Sequence, residues 1–217
     1  MATRTWITAS TKNWSDGTAW LEAAAPTSAD DVVVAGTGTL TVDGTAGTPS
    51  ACRSITFVGF TGTFTHGAAK QLNVGDGTAG AFVLVAGMTH APSATSILKF
   101  VSTTTGNNLT FAGKRMGPIT FDGVGGGWGF QDALDSQASI IGMTITNGAV
   151  DTNGKAVGAT SSTSFLRSGT ATASLSLGAT AWNLGTVATW DASSSTGFTI
   201  TPGTSVITMS RTTQSET

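Results

Sequence analysis

The chain has 217 residues and a formal net charge of −2 at pH 7, and charged residues make up only 10% of it. This balance gives no basic surface for nucleic acid and no polybasic patch for an anionic membrane, so we expect neither as a partner. The single cysteine, Cys52, excludes an intramolecular disulfide framework. With 29 glycines and no tyrosine, the composition favours turns and strands over helices.

Three tryptophans dominate residues 1–36, which we predict to form an N-terminal cap and attachment segment. Trp6, Trp14 and Trp20 precede the first continuous apolar strand. A stack of β-coils exposes an apolar end, and these indoles lie where a lid over that end is needed. The alternative interpretation is a platform on which the rings stack against a glycan.

Two adjacent aspartates lie near the end of this segment. Asp30 and Asp31 occupy the junction between a loop and the apolar strand at 32–34. A carboxylate at such a junction accepts hydrogen bonds from the N–H groups of a turn, so we predict a structural role for both residues. Metal binding or acid chemistry is the functional alternative.

One short unit recurs from residue 40 to residue 185, with the order apolar, polar, apolar and then a nearby glycine. The copies are LTVDG (40–44), ITFVG (55–59), LNVG (72–75), LTFAG (109–113), ITFDG (119–123), ITNG (145–148), LSLG (175–178) and WNLG (182–185). Alternation with period two turns both apolar residues of a unit to one face of a strand, and glycine permits a tight corner. The pairs predicted to face the core include Leu40 and Val42, Leu109 and Phe111, Ile119 and Phe121, and Leu175 and Leu177.

These units predict a nearly all-β fold. No window of twelve residues has helical periodicity, and the longest helix-like stretch, TAWLEAAAP, ends at Pro26. Strands of about three to five residues favour a β-solenoid, of the right-handed parallel β-helix type, over a β-sandwich or jelly roll with longer strands. The sandwich or jelly roll stays the alternative. We predict one continuous solenoid body over 37–210 and a polar C-terminal tail over 211–217.

Two glycine-containing motifs resemble ligand-binding loops but are better explained as turns. GVGGGWG, 123–129, matches neither the phosphate loop nor the dinucleotide motif, and no helix follows it. We predict a wide corner that turns Trp128 and Phe130 inward. DTNGK, 151–155, lacks the distal glutamate of a calcium loop, which predicts an ordinary turn.

Titratable side chains do not gather into a recognisable catalytic motif. His66 and His90 have no neighbouring nucleophile with an orienting acid, so we expect solvated or hydrogen-bonded loop residues. Asp132 and Asp135 indicate a surface turn. We therefore predict no catalytic, cofactor-binding or metal-binding residue, no cofactor and no enzymatic activity. A polysaccharide lyase or hydrolase that uses two carboxylates is the distant alternative.

Several stretches resemble a loosely defined β-helix family found among virion proteins of tailed bacteriophages and among bacterial surface adhesins. They are NWSDGTAW, APTSADDVVV, GKRMGPITFDGVGGGWGFQDAL and SIIGMTITNGAVDTNGKAV, and the similarity covers about residues 5 to 185. The resemblance implies a non-catalytic structural component of the virion. Such a protein decorates the capsid or forms the base of a tail or head fibre.

The same resemblance implies partners and a location. We expect a homo-oligomer, a homotrimer, that contacts the major capsid or tail protein in a virion assembled in the host cytoplasm. The first residues, MATRTWITAS, lack the apolar core of a signal peptide, which fits a virion part better than a secreted adhesin. A glycan-binding adhesin module that recognises a host-surface glycan is the alternative function.

Overall fold

The computed structural model describes residues 2–7, 9–75, 80–136, 142–158, 163–184, 189–193 and 196–209. Within these residues the only helical element is one turn of 3-10 helix, Gly17–Ala19. The strands, in chain order, are β1 (Thr3–Thr5), β2 (Thr11–Asn13), β3 (Asp31–Ala35), β4 (Thr39–Val42), β5 (Ser50–Cys52), β6 (Ser54–Val58), β7 (Thr63–His66), β8 (Gln71–Val74), β9 (Ala81–Val83), β10 (Thr89–Pro92), β11 (Ile97–Phe100), β12 (Asn107–Thr110), β13 (Arg115–Met116), β14 (Ile119–Phe130), β15 (Asp135–Ser136), β16 (Met143–Asp151), β17 (Phe165–Arg167), β18 (Ala173–Ser176), β19 (Ala181–Asn183), β20 (Trp190–Asp191), β21 (Phe198–Thr201) and β22 (Val206–Thr208).

The strands form a parallel β-solenoid of about 7 turns, in which each coil contributes to three faces. The first face holds β1, β3, β6, β9, β12, β18, β21 and the C-terminal halves of β14 and β16. The second face holds β2, β4, β7 and β10, followed by β13, β15, β19 and β22. The third face holds β5, β8, β11, the N-terminal halves of β14 and β16, β17 and β20. The solenoid prediction is confirmed, and the sandwich alternative is wrong.

Inward side chains stack in columns from coil to coil. On the first face, successive register partners are Val32, Ile55, Phe82, Leu109 and Phe130. On the third face they are Leu72, Leu98, Ile119, Met143 and Phe165. All of these are buried, as are the eight residues that the recurring unit predicted to face the core. Each such side chain stabilises the fold by about 1.5–3 kcal/mol through loss of apolar surface to water.

The glycine-rich stretch at 123–129 is a corner, as predicted. β14 passes through it from the third face to the first, with one register shift just before the corner, between Phe121 and Asp122, and another across it, between Asp122 and Gly127. A Cβ on Gly123 would lie 1.8 Å from the carbonyl oxygen of Ser102, so the backbone approaches the preceding coil too closely for a side chain. Beyond the corner, Trp128 and Phe130 are buried in the core.

On the first face, the chain itself covers part of the N-terminal edge of the stack. β1 pairs with β3, and the segment 17–22 hydrogen-bonds to the end of β1 on its other edge. Leu21 N donates to Thr5 O at 2.9 Å, Ile7 N donates to Ala19 O at 3.2 Å, and a Glu22 carboxylate oxygen accepts the Thr5 N–H at 2.9 Å. On the other two faces, β2 and β5 have no described strand on their outer edges. β3 and β4, on either side of the predicted boundary at residue 36, are successive strands of one coil.

The opposite end of the described stack has open strands. β21 pairs only with β18 and β22 only with β19, so no described strand lies on their far edges. Ile200 continues the column of Leu175, yet it is 36% exposed, and Met209 is 67% exposed. The predicted tail, 211–217, lies outside the described residues.

An arginine interrupts one core column. On the third face, Val74, Phe100, Phe121 and Ile145 are followed by Arg167, which is 1% exposed. Its guanidinium donates to four backbone carbonyl oxygens, those of Ile145 (3.1 Å), Thr146 (2.6 Å), Ser168 (2.6 Å) and Ala171 (2.6 Å). Burial lowers its pKa below the ordinary value. The side chain thus satisfies the carbonyls of the corner between the third and first faces.

We expect Arg167→Met to destabilise the fold by about 2–4 kcal/mol, because several carbonyls in and beside the core lose their donor. Arg167→Lys should cost less, since an ammonium keeps some of these bonds. Chemical denaturation measures both changes. Lys155→Met, which removes the same charge at an exposed position, is the control and should stay within about 0.5 kcal/mol of the parent. An Arg167→Met variant as stable as this control would contradict the role.

Candidate functional site

The structure brings the three N-terminal tryptophans into one buried cluster. The ring centroids of Trp6 and Trp20 lie 5.8 Å apart and those of Trp14 and Trp20 lie 5.4 Å apart, both edge to face. The Trp20 indole N–H donates to Trp14 O at 3.1 Å, and that of Trp6 donates to Thr37 O at 3.2 Å. The side chains are 3%, 2% and 1% exposed in chain order, so these rings present no open face on which a sugar could stack.

The two adjacent aspartates bind different neighbours. Asp30 accepts hydrogen bonds from the backbone N–H (3.0 Å) and hydroxyl (2.9 Å) of Thr27, and it pairs with the Arg4 guanidinium at 3.2 Å. Burial alone would raise the pKa of Asp30, but these hydrogen bonds and the Arg4 charge outweigh it and hold the pKa below its usual value. Asp31 pairs with Arg53 and accepts the Ser54 hydroxyl. Asp30 therefore fixes the turn before β3, while Asp31 ties β3 to the next coil.

The histidines lie in strands rather than loops, so that part of their interpretation is wrong. His66 ends β7 with its Nε2 2.8 Å from Lys70 O, and His90 lies in β10 with its Nδ1 3.1 Å from Arg115 O. The His90 ring stacks on Phe64 at 5.4 Å. Burial lowers the pKa of both histidines to about 4, which keeps them neutral at pH 7. The alternation Thr-Phe-Thr-His in β7 is the signal that could have placed His66 inward.

The remaining acidic candidates serve local structure. Asp132 accepts the backbone N–H groups of Phe111 and Ala112, which ties successive coils together. Asp135 is buried in β15, so the predicted surface turn is wrong for this residue. The stretch 151–155 is a turn, as predicted, because Lys155 N donates to Thr152 O at 2.8 Å. Within the described ranges, no group of three or more His, Cys, Asp or Glu side chains could hold a metal ion.

A cleft of about 470 Å³ lies between the tryptophan segment and the loop that follows β4; we call it the cap cleft. Its walls come from residues far apart in sequence, which is why the sequence did not indicate it. The lining residues are Trp14, Ser15, Ala25, Pro26, Thr27, Asp43, Gly44, Thr48, Pro49, Ser50 and Ala51.

Two adjoining shallow depressions lie on the outside of the first face, with volumes of about 360 Å³ and 570 Å³. They share Thr105, Ala149 and Ser174, and we call them together the first-face groove. The exposed Val124 at the glycine-rich corner stands at one side of the groove. Most of its lining side chains are Gly, Ala, Ser or Thr, which makes the floor flat and nearly uncharged.

Comparison with known proteins gives no guide to the role of these sites. No protein-family model, no curated protein and no solved structure matches the chain. Among the residues that the structure describes, no helix has the length and apolar character needed to cross a membrane.

We expect Trp14→Ala to destabilise the protein by about 3–5 kcal/mol, because a fully buried aromatic ring leaves a cavity when it is removed. Thermal or denaturant unfolding measures the loss. Leu21→Ala is the matched control, since Leu21 lies in the same segment and is 66% exposed. A folded Trp14→Ala variant with an unchanged melting temperature would contradict the packing role of this ring.

Acid is expected to weaken the fold through the two histidines. Their folded pKa of about 4 lies below the ordinary 6.5, so between these values the unfolded chain binds more protons. Stability should therefore fall as the pH drops through this window, by up to about 1.4 kcal/mol per pH unit for each histidine. Urea unfolding near neutral pH and midway through the window measures the change. The double variant His66→Gln, His90→Gln should flatten the profile, and an unaltered profile would refute the assignment.

Proposed function

We propose that this chain is a non-catalytic structural component of a bacteriophage virion, a surface β-solenoid that decorates the capsid or forms the base of a fibre. The observation that carries the proposal is the difference between the two ends of the stack on the first face. There the segment 17–22 hydrogen-bonds to Thr5 on the outer edge of β1, whereas no described strand lies beyond β21. Open strands bind another strand readily, which supports attachment of this end to a virion protein.

Exposed apolar side chains support an external partner at this end. Ile200, in register with the buried Leu175, is 36% exposed, and Val206 and Met209 are 63% and 67% exposed. The major capsid or tail protein is the partner that we propose for this surface.

The use of the carboxylates supports a structural rather than a catalytic role. Asp122 pairs with Lys99 at 2.6 Å and accepts the Asn147 amide, so it joins three successive coils. Asp30, Asp31 and Asp132 likewise bind basic or backbone groups of neighbouring coils. Carboxylates held in this way stabilise the stack, whereas hydrolysis by two carboxylates needs them facing one another across a substrate.

A homotrimer is part of the same proposal, and its three-fold symmetry comes from the family resemblance. The second face presents a flat, neutral row of hydroxyl side chains that suits lateral contact between copies. The outward register columns there are Thr11, Thr39, Thr63 and Thr89, and beside them Asn13, Thr41, Thr65 and Ala91. No like charges along these columns oppose such a contact.

Electron cryomicroscopy of particles of the phage that encodes the chain tests this function. We expect density for the solenoid at a fixed lattice or tail position, with β21 and β22 facing the particle. Ile200→Lys should reduce incorporation while the variant stays folded, whereas Val58→Lys, an exposed apolar residue elsewhere on the first face, should not. Absence from particles, a monomer by light scattering and activity on a polysaccharide would together overturn the proposal.

A further inference from the structure

We propose that the outer edge of β21 binds an extended segment of the capsid or tail protein, which runs parallel to β21 and places apolar side chains over Phe198 and Ile200. The inference deepens the virion proposal, and it rests on that proposal only for the identity of the protein that donates the segment. The added strand extends the first face by one further coil.

The backbone groups of β21 divide between its two edges. The carbonyl oxygens of Gly197 and Thr201 accept hydrogen bonds from N–H groups of β18, each at 3.0 Å. Successive residues of a parallel strand bond to opposite neighbours, so the N–H and C=O groups of Phe198 and Ile200 point to the outer edge. No described strand pairs with that edge, which leaves two donors and two acceptors for an added strand.

The inward side chains of β21 are less covered than those of the coil before it. Phe198 and Ile200 lie in register with Ala173 and Leu175, which are 3% and 0% exposed. Ile200 is 36% exposed, and Phe198 is only partly buried against the core. Apolar side chains on an added strand remove this surface from water, as the next coil does elsewhere in the stack.

The edge of β21 lacks the features by which natural β-proteins prevent strand addition. These features include charged side chains on the edge, inward-pointing charges and β-bulges. Residues 196–209 contain no charged side chain, and β21 pairs with β18 in continuous register. At the other end of the stack, the open edge of β2 carries Lys12 at an inward position, in register with the buried Leu40. The contrast indicates that β2 is protected against an added strand and β21 is not.

The geometry of β21 also fixes the chemistry of the segment. Successive coils pair in parallel through the described stack, which gives the orientation. The inward residues of the segment are apolar, because a polar group over Phe198 and Ile200 is buried without a partner. The Phe198 ring is already held, 5.9 Å from the Phe165 ring and 5.5 Å from the Arg167 guanidinium carbon. A surface ordered in advance loses little conformational entropy on binding.

The other open edges are weaker candidates for strand addition. β20 has only 2 residues and β22 only 3. The inward residues of β5, Ser50 and Cys52, are 6% and 0% exposed, so they offer no apolar surface to an added strand. The outer edge of β21 is therefore the site to which we assign the segment.

Amide hydrogen exchange of the full chain, followed by NMR, tests whether the edge is free. We expect the amides of Phe198 and Ile200 to exchange at least about tenfold faster than those of Thr199 and Thr201, which face β18. Equal protection of all four amides would show that the chain covers this edge itself, and it would overturn the inference.

A synthetic peptide tests the addition of a strand. The probe is TASLSLG, which copies residues 172–178 and thus the alternation of β18. We expect it to slow exchange of the Phe198 and Ile200 amides saturably, by about tenfold. The same peptide with every backbone N–H methylated cannot donate to the edge and should not bind. A nitroxide on the first residue of the peptide should broaden the Phe198 signal more than the Thr201 signal, and the reverse order would refute the parallel orientation.

Variants at one position separate edge pairing from stability. Ile200→Pro removes an outward N–H and leaves the bonds to β18, so this variant should fold and lose peptide binding. Ile200→Lys places a charge inward and should also lose it, whereas Ile200→Val should bind within about threefold of the parent. Unfolding curves confirm that the variants are folded.

The inference is overturned if the peptide gives no saturable slowing, or if folded Ile200→Pro or Ile200→Lys binds it like the parent. Neither result bears on whether the chain is present in particles, which electron cryomicroscopy measures separately. Conversely, peptide binding by a chain that is absent from particles would refute the virion role and leave strand addition in place.

Discussion

Parallel backbone pairing between successive coils is the constraint on which the rest of this structure depends. Away from the ends of the stack, each strand hydrogen-bonds to the strand one coil earlier and one coil later, so every coil must repeat the same inward and outward alternation. A single coil has neither paired edges nor a closed core and cannot be stable alone. The columns of apolar side chains follow from this requirement. The stack also has two ends, where strand edges and the core would otherwise be exposed.

The two ends of the stack differ in how far the chain covers them. At the N-terminal end, the segment 17–22 supplies acceptors and donors to β1, while the edge-to-face tryptophans fill the space beneath it. At the other end, Ile200 and Met209 are exposed at positions where earlier coils bury their residues. On the first face the stack is therefore covered at its N-terminal edge near Thr5 and open beyond β21.

Much of this architecture could be predicted from the sequence, because the alternation of apolar and polar residues with period two indicates which side chains face inward. Leu109 and Phe111, or Leu175 and Leu177, are buried as that pattern requires. Periodicity does not indicate which residues lie opposite one another in successive coils, since register partners are between 20 and 28 residues apart. The inward position of Arg167 was missed because a charged residue in an alternating strand is expected to face solvent. The cap cleft was missed because Trp14 and Pro49 meet only through the pairing of β2 with β4.

The polar groups with unusual hydrogen bonding lie where the repeating pattern of the coils is broken. In a regular coil, backbone groups pair and side chains either pack or face solvent, which leaves no polar group unused. The Arg167 guanidinium donates hydrogen bonds to carbonyl oxygens at a corner, which regular strand pairing leaves without donors. The loop after β4 likewise departs from the coil, and beside it the Trp14 indole N–H has no hydrogen-bond partner among the described residues. In a repeat protein with few charges, such departures are where polar groups need partners that regular strand pairing does not supply.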